Sequence, residues 1–127
     1  MIRVALAVAA GGAVGSLMRF LVASWVAGNW PRHFYLATLT VNVLGCLLIG
    51  LLSGLFLTRT DLPLELRTGL ITGVLGGFTT FSAFSAESLT LLERGRFELA
   101  LAHTAAHVVG ALACAALGAR LVRAWLA

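Results

Sequence analysis

The chain has 127 residues, 60% of them hydrophobic and 11% charged, whereas a water-soluble domain of this size carries about 25% charged residues. A soluble globular fold is therefore excluded. The net charge of +4 could suggest a nucleic-acid partner, but all nine basic residues are Arg, scattered over every polar segment, and none forms a basic patch with interleaved aromatics. An enzyme is equally unsupported, because the chain has no nucleophile with a base, no phosphate loop and no carboxylate pair.

A bilayer core needs roughly 20 apolar residues per helix. Four stretches satisfy this: residues 4–27, 36–57, 69–92 and 99–122. The first follows Met1-Ile2-Arg3 and superficially resembles a signal peptide. Its apolar run outlasts the 7–15 residues of a usual signal core, which predicts a retained helix. It carries Ser16 and Arg19. The second carries Thr38, Thr40, Asn42 and Ser53. The third is the most polar and contains Gly76-Gly77-Phe78-Thr79-Thr80-Phe81-Ser82-Ala83-Phe84-Ser85-Ala86-Glu87. The fourth carries His103, Thr104 and His107. The expected fold is all-α: a single transmembrane domain of four helices over residues 1–127.

The connections at residues 28–33, 58–66 and 93–96 are short, which makes neighbouring helices antiparallel. One end then holds Arg3, Arg59, Arg67, Arg120 and Arg123. The other holds Arg32, Arg94 and Arg96, with Arg19 in reach. So near an even balance sets no strong orientation under the positive-inside rule, and an antiparallel dimer of two oppositely inserted copies follows as an expectation. Trp25, Trp30 and Trp125 join the arginines as interfacial anchors. Gly69, Gly73 and Gly77, Gly50 and Gly54, and Gly110, Cys114 and Gly118 all stand four apart. Small residues at that interval let membrane helices approach closely. Cys46 and Cys114 have no metal or redox spacing and read as small apolar filler.

Polar groups in hydrocarbon are costly unless partnered, so the intramembrane ones are informative. Two glycines followed by two β-branched threonines make a poor helix, which predicts a break in the third span with carbonyls left for protein, water or an ion. Phe81 and Phe84 share one helical face beyond it. Asn42 offers amide donors in mid-membrane; interhelical glue is the alternative. Arg19 could snorkel or pair with Glu87. These residues describe either a polar pathway or polar glue. A proton-coupled cation exporter would need an intramembrane carboxylate, for which Glu87 is the sole candidate, and a non-transporting subunit would use every polar group for packing.

The strings Gly11-Gly12-Ala13-Val14-Gly15-Ser16-Leu17-Met18-Arg19, Thr40-Val41-Asn42-Val43-Leu44-Gly45 and Gly76-Gly77-Phe78-Thr79-Thr80-Phe81-Ser82 resemble the Fluc/CrcB family of fluoride channels over essentially the whole chain. The resemblance implies an antiparallel, dual-topology homodimer in the cell (inner) membrane, surrounded by lipid, passing fluoride passively through two pores at the subunit interface. It implies that Asn42 is the pore asparagine, that Phe81 and Phe84 line the ion path, and that Arg19 is the family's helix 1 arginine. Gly76 and Thr79 are implied to hold a structural Na⁺ through backbone carbonyls. Ser82 and Thr40 belong to the expected donor set. Two departures stand out: Ala83 replaces a Thr usual in relatives, and His103 and His107 replace the usual helix 4 Tyr, Asn or Ser. Being four apart, the two rings project from the same helix face. They are expected as neutral structural histidines or with one ring nitrogen donating to fluoride; a metal site is the third reading, but two imidazoles without a carboxylate or thiolate make a thin ligand set.

Overall fold

In hydrocarbon each backbone amide must be paired within the protein, and a helix does this inside one segment. The computed structural model describes residues 1–126, and all four apolar stretches in it are helical. Helix α1 spans Ile2–Asn29 and α2 spans Tyr35–Thr58. The third span, Leu64–Glu93, is assembled from pieces. They are α3 (Leu64–Thr68), a π-helical segment (Gly69–Leu75), α4 (Gly76–Phe78) and α5 (Phe81–Glu93). Helix α6 spans Phe97–Leu126. At 1.5 Å per residue, spans of 24 to 30 residues reach about 36–45 Å, enough to cross the hydrocarbon core.

The helices overrun the apolar cores expected from hydropathy. Thr58 closes α2 rather than opening a loop, its hydroxyl donating back to the Leu55 carbonyl at 2.8 Å. The third span starts at Leu64, after Pro63, and not at Gly69. Hydropathy marks only the lipid-facing part of a helix; its polar turns continue into the interface. Arg67 there donates to the Phe56 carbonyl and lies over the Phe56 ring, 5.2 Å from its centroid, closing the α2–α3 turn. In the same turn Arg59 grips Asp61 through two hydrogen bonds of 3.0 and 2.9 Å. That bond holds the exposed Asp61 carboxyl below its ordinary range. At the opposite end Arg94 stands 5.8 Å from the centroid of Phe34, joining the first and third connections.

The break in the third span is present, one step later than the glycines suggest. Gly76, Gly77 and Phe78 remain helical, while Thr79 (φ −86°, ψ 159°) and Thr80 (φ −154°, ψ 116°) are extended. Branched threonines favour extended backbone, and Gly77 packs so closely on the Gly12 carbonyl and Ser16 of α1 that a β-carbon would overlap them. Thr80 then caps α5, its hydroxyl accepting from the Ala83 N–H at 3.2 Å. The π-helical turn has no counterpart in the sequence expectations.

Two seams hold the bundle. Helix α1 lies along the first half of the third span, and α2 lies along α6. Each depends on backbone contact at glycine: a β-carbon on Gly15 would overlap the Val74 carbonyl, and one on Gly50 would overlap the Ala115 carbonyl. Gly110 is looser, meeting only a Val43 methyl at 3.3 Å. Leu91 and Val41 are fully buried, yet only 6% to 28% of each apolar span is enclosed. The exposed Leu, Val and Phe side chains suit hydrocarbon rather than water.

Candidate functional site

The break at Thr79 and Thr80 organises the polar centre. In a continuous helix the Thr80 N–H would bond the Gly76 carbonyl, and the Ala83 N–H would bond the Thr79 carbonyl. Here Thr80 N–H donates to Asn42 Oδ1 at 2.8 Å, and Ala83 N–H is taken by the Thr80 hydroxyl. The Asn42 amide also donates from Nδ2 to the Thr80 carbonyl at 2.9 Å. One side chain from α2 thus satisfies both backbone groups of an extended residue in α5's cap, as a neighbouring strand would. The redirected bonds leave the Gly76 and Thr79 carbonyls without their helical donors. Gly76 is exposed, with no heavy atom closer than 3.9 Å to a β-carbon built there, so packing within the chain does not require glycine at this position.

Two cavities flank this centre. The first, about 530 Å³, is lined by Ser16 and Arg19 of α1, Thr38 of α2, and Thr80, Ala83 and Glu87 of the third span. The second, about 570 Å³, is lined by Asn42, Cys46, Gly76, Thr79, Phe81, Phe84 and His107. Thr80 borders both. Phe81 is 78% exposed and its ring stands 5.4 Å from that of Phe84. Phe84 is half-buried and packs on both imidazoles, 5.3 Å from His103 and 4.6 Å from His107.

Beside the cavities lies a buried titratable cluster. Glu87 Oε1 accepts from the Thr38 hydroxyl at 2.5 Å. Its Oε2 lies 3.4 Å from His103 Nε2 but without hydrogen-bond geometry, so both atoms are unpartnered. The His103 ring meets Tyr35 edge-on at 5.8 Å and His107 at 4.4 Å. His107 Nδ1 is 3.0 Å from the His103 carbonyl. A carbonyl only accepts, so Nδ1 carries the proton. The Nε2 of His107 has no partner.

The expected site residues therefore divide. Asn42, Phe81, Phe84 and His107 come together on the second cavity. Gly76 and Thr79 share its wall. Ser82 is exposed and reaches the Thr80 hydroxyl at 3.2 Å. Arg19 lines the first cavity together with Glu87, but the two are not ion-paired; Glu87 turns to Thr38 and His103 instead. Thr40 is exposed and lines neither cavity. Sequence reasoning missed Thr80 as the residue Asn42 clamps, and Thr38 and Glu87 as a bonded pair. They were legible only as polar residues in apolar spans, since the pairings join positions 38 and 49 residues apart. Among the described residues no group of three His, Cys, Asp or Glu side chains could hold a metal ion. Any cation here would rest on carbonyls.

Comparison with known proteins agrees with this architecture. Residues 6–119 match the family described as CrcB-like protein, Camphor Resistance (CrcB). A relative from Pseudomonas fluorescens (strain Pf-5), named fluoride-specific ion channel FluC, is 57% identical over 112 residues, covering 88% of this chain and 90% of the relative. One of the same name from Pseudomonas putida (strain F1) is 54% identical over 123 residues, covering 97% of this chain and 99% of the relative. Another so named, from Azotobacter vinelandii, is 57% identical over 112 residues, covering 88% and 90%.

Proposed function

This chain belongs to the CrcB family of multi-pass membrane proteins, and from that premise we propose that it is a fluoride-selective channel that lets F⁻ leave the cell passively across the inner membrane, conferring fluoride resistance. The observation that carries the reading is identity of 54% over 97% of the chain to a relative named a fluoride-specific ion channel.

The chemistry of the second cavity supports it. Fluoride is small and strongly hydrated, so a path for it must replace water with donors. Asn42 spends one amide proton on Thr80 and keeps the other. Ser82 adds an exposed hydroxyl. Phe81 and Phe84 offer the positive edges of their rings. Neutral or only transiently charged donors of moderate strength suit conduction, because a permanent deep cation would hold the ion. Arg19 stands in the other cavity, where its charge can draw anions toward the bundle without sitting on Asn42. Thr40 has no contact in the single chain that places it on the path.

The functional unit is an antiparallel homodimer with a structural Na⁺ and two pores. Support comes from the near-even arginines and from the released Gly76 and Thr79 carbonyls beside an exposed glycine. Hard cations take several oxygen ligands. One chain offers two such carbonyls, and a second copy related by two-fold symmetry doubles the set. A bound cation would supply charge compensation for those carbonyl dipoles, and the chain's part is to hold the break open through Asn42.

Purified protein in vesicles, loaded with potassium fluoride or chloride and given valinomycin, tests the reading. Fluoride efflux far above chloride efflux is expected; equal fluxes of the two ions overturn it. For topology, one-sided labelling of an introduced terminal Cys in intact cells contradicts the dual-topology dimer.

A further inference from the structure

We propose that His107 makes fluoride binding proton-dependent: it is a fluoride donor only as imidazolium, so one proton is taken up with each fluoride held at its Nε2. The proposal rests on the channel reading above and adds a coupling that reading does not contain.

The argument begins with the tautomer. His107 is buried on α6, at 8% exposure, and its Nδ1–H is committed to the His103 carbonyl one turn earlier. In the neutral ring the second nitrogen, Nε2, is then a bare lone pair. That nitrogen has no partner in the chain, and the residue lines the cavity that also holds Asn42 and Phe84. A lone pair repels an anion. Neutral His107 thus cannot do what a hydroxyl or amide does at such a position, since those carry their own proton. Protonation at Nε2 reverses the interaction, giving an N–H donor and a positive charge to the same cavity. The balance is simple: neutral His107, one hydrated proton from the bathing solution and one F⁻ give the imidazolium–fluoride pair, with no bond broken in the protein.

The surroundings bear on this proton from every element packed nearby. On α6, His103 is 4.4 Å away ring to ring, and its two nitrogens are also unpartnered. On α5, Glu87 reaches His103 at 3.4 Å. A single proton between Glu87 Oε2 and His103 Nε2 would satisfy both atoms and leave that pair with no net charge. On α2, Tyr35 touches His103, and Cys46 and Asn42 share the His107 cavity. Helix α1 contributes Arg19, which lines the other cavity. His107 is therefore the titratable imidazole on the fluoride side, and Phe84, 4.6 Å from it, is placed to present its ring to the same ion.

The coupling predicts how apparent affinity changes with pH. Apparent affinity scales with the competent fraction, and one proton bound per fluoride limits the change to about tenfold per pH unit, so the half-saturating fluoride concentration is expected to fall several-fold between pH 8 and 5.5. The experiment measures initial efflux against internal fluoride at pH 5.5, 6.5 and 8, with HF permeation subtracted using protein-free vesicles. His107→Asn and His107→Gln, which donate without titrating, are expected to flatten the pH dependence, whereas Cys46→Ser keeps it. In parallel, ¹⁵N spectra of histidine-labelled protein titrated with sodium fluoride are expected to show Nε2 of His107 gaining its proton at higher pH when fluoride is present. A pH-independent half-saturation in the wild type, or the same pH profile in the His107 variants, overturns the proposal while leaving the channel reading intact. Absence of flux at every pH counts against the channel reading instead. The nitrogen spectra then decide the coupling alone: no shift of the Nε2 titration by fluoride overturns it.

Discussion

The bundle buries polar groups in two places, and treats them differently. At the break, the Asn42 amide and the Thr80 backbone satisfy each other twice, at 2.8 and 2.9 Å. A turn or two farther along α5 and α6, Glu87 Oε2, both nitrogens of His103 and His107 Nε2 remain unpartnered. A buried polar group left without a partner costs about 1–3 kcal/mol, while a paired one contributes roughly 1 kcal/mol. The paired end is thus the one that sets backbone geometry, and the unpaired end is where a proton, water or ion has something to gain by entering.

The largest expected effect comes from breaking the paired end. Asn42→Asp still accepts from Thr80 N–H, but it loses the donor to the Thr80 carbonyl and points lone pairs and a charge at it. Fluoride efflux is expected to drop to that of protein-free vesicles while the proposed dimer persists on size exclusion. Retained efflux would mean that Asn42 only packs. A middle-sized effect is expected at the aromatic pair that joins the two regions. Phe81→Ile and Phe84→Ile keep bulk but lose the ring edge and the ring–ring contact, which is worth about 0.5–1.5 kcal/mol; a barrier change of that size is roughly two- to tenfold in rate. Methionine, flexible and polarizable, is expected to be the milder replacement at both positions; unchanged efflux in both Ile variants returns these rings to a lipid-facing role.

An effect on stability rather than on efflux sharpens the comparison at the unpaired end. Glu87→Ala strips the Thr38 hydroxyl of its acceptor, and thermal melting in detergent is expected to report a loss of about 1–3 kcal/mol. Glu87→Gln keeps an oxygen for Thr38 and supplies an N–H that can reach His103, so its melting point is expected near that of the wild type. If Gln melts as low as Ala, the carboxylate itself, and not hydrogen bonding, is what that end requires.

Much of this was written in the sequence. Low charge and apolar runs of bilayer length determine a four-helix membrane protein, because within a single segment in lipid a helix is what pairs the backbone. Glycines four apart mark the close seams, and the Gly-Gly-Phe-Thr-Thr string marks a break, since both are consequences of local sterics. What local pattern could not decide was where the break falls and where its hydrogen bonds go. Gly76 and Gly77 are the weaker helix formers, yet the chain opens at Thr79, because α1 closes on Gly77 while Asn42, 38 residues earlier than Thr80, receives the freed amide. Nor could spacing choose between donor and acceptor at His107. The i, i+4 interval places its ring over the His103 carbonyl, but only the folded geometry shows Nδ1 bonded there, and that one bond decides which nitrogen is left without a partner.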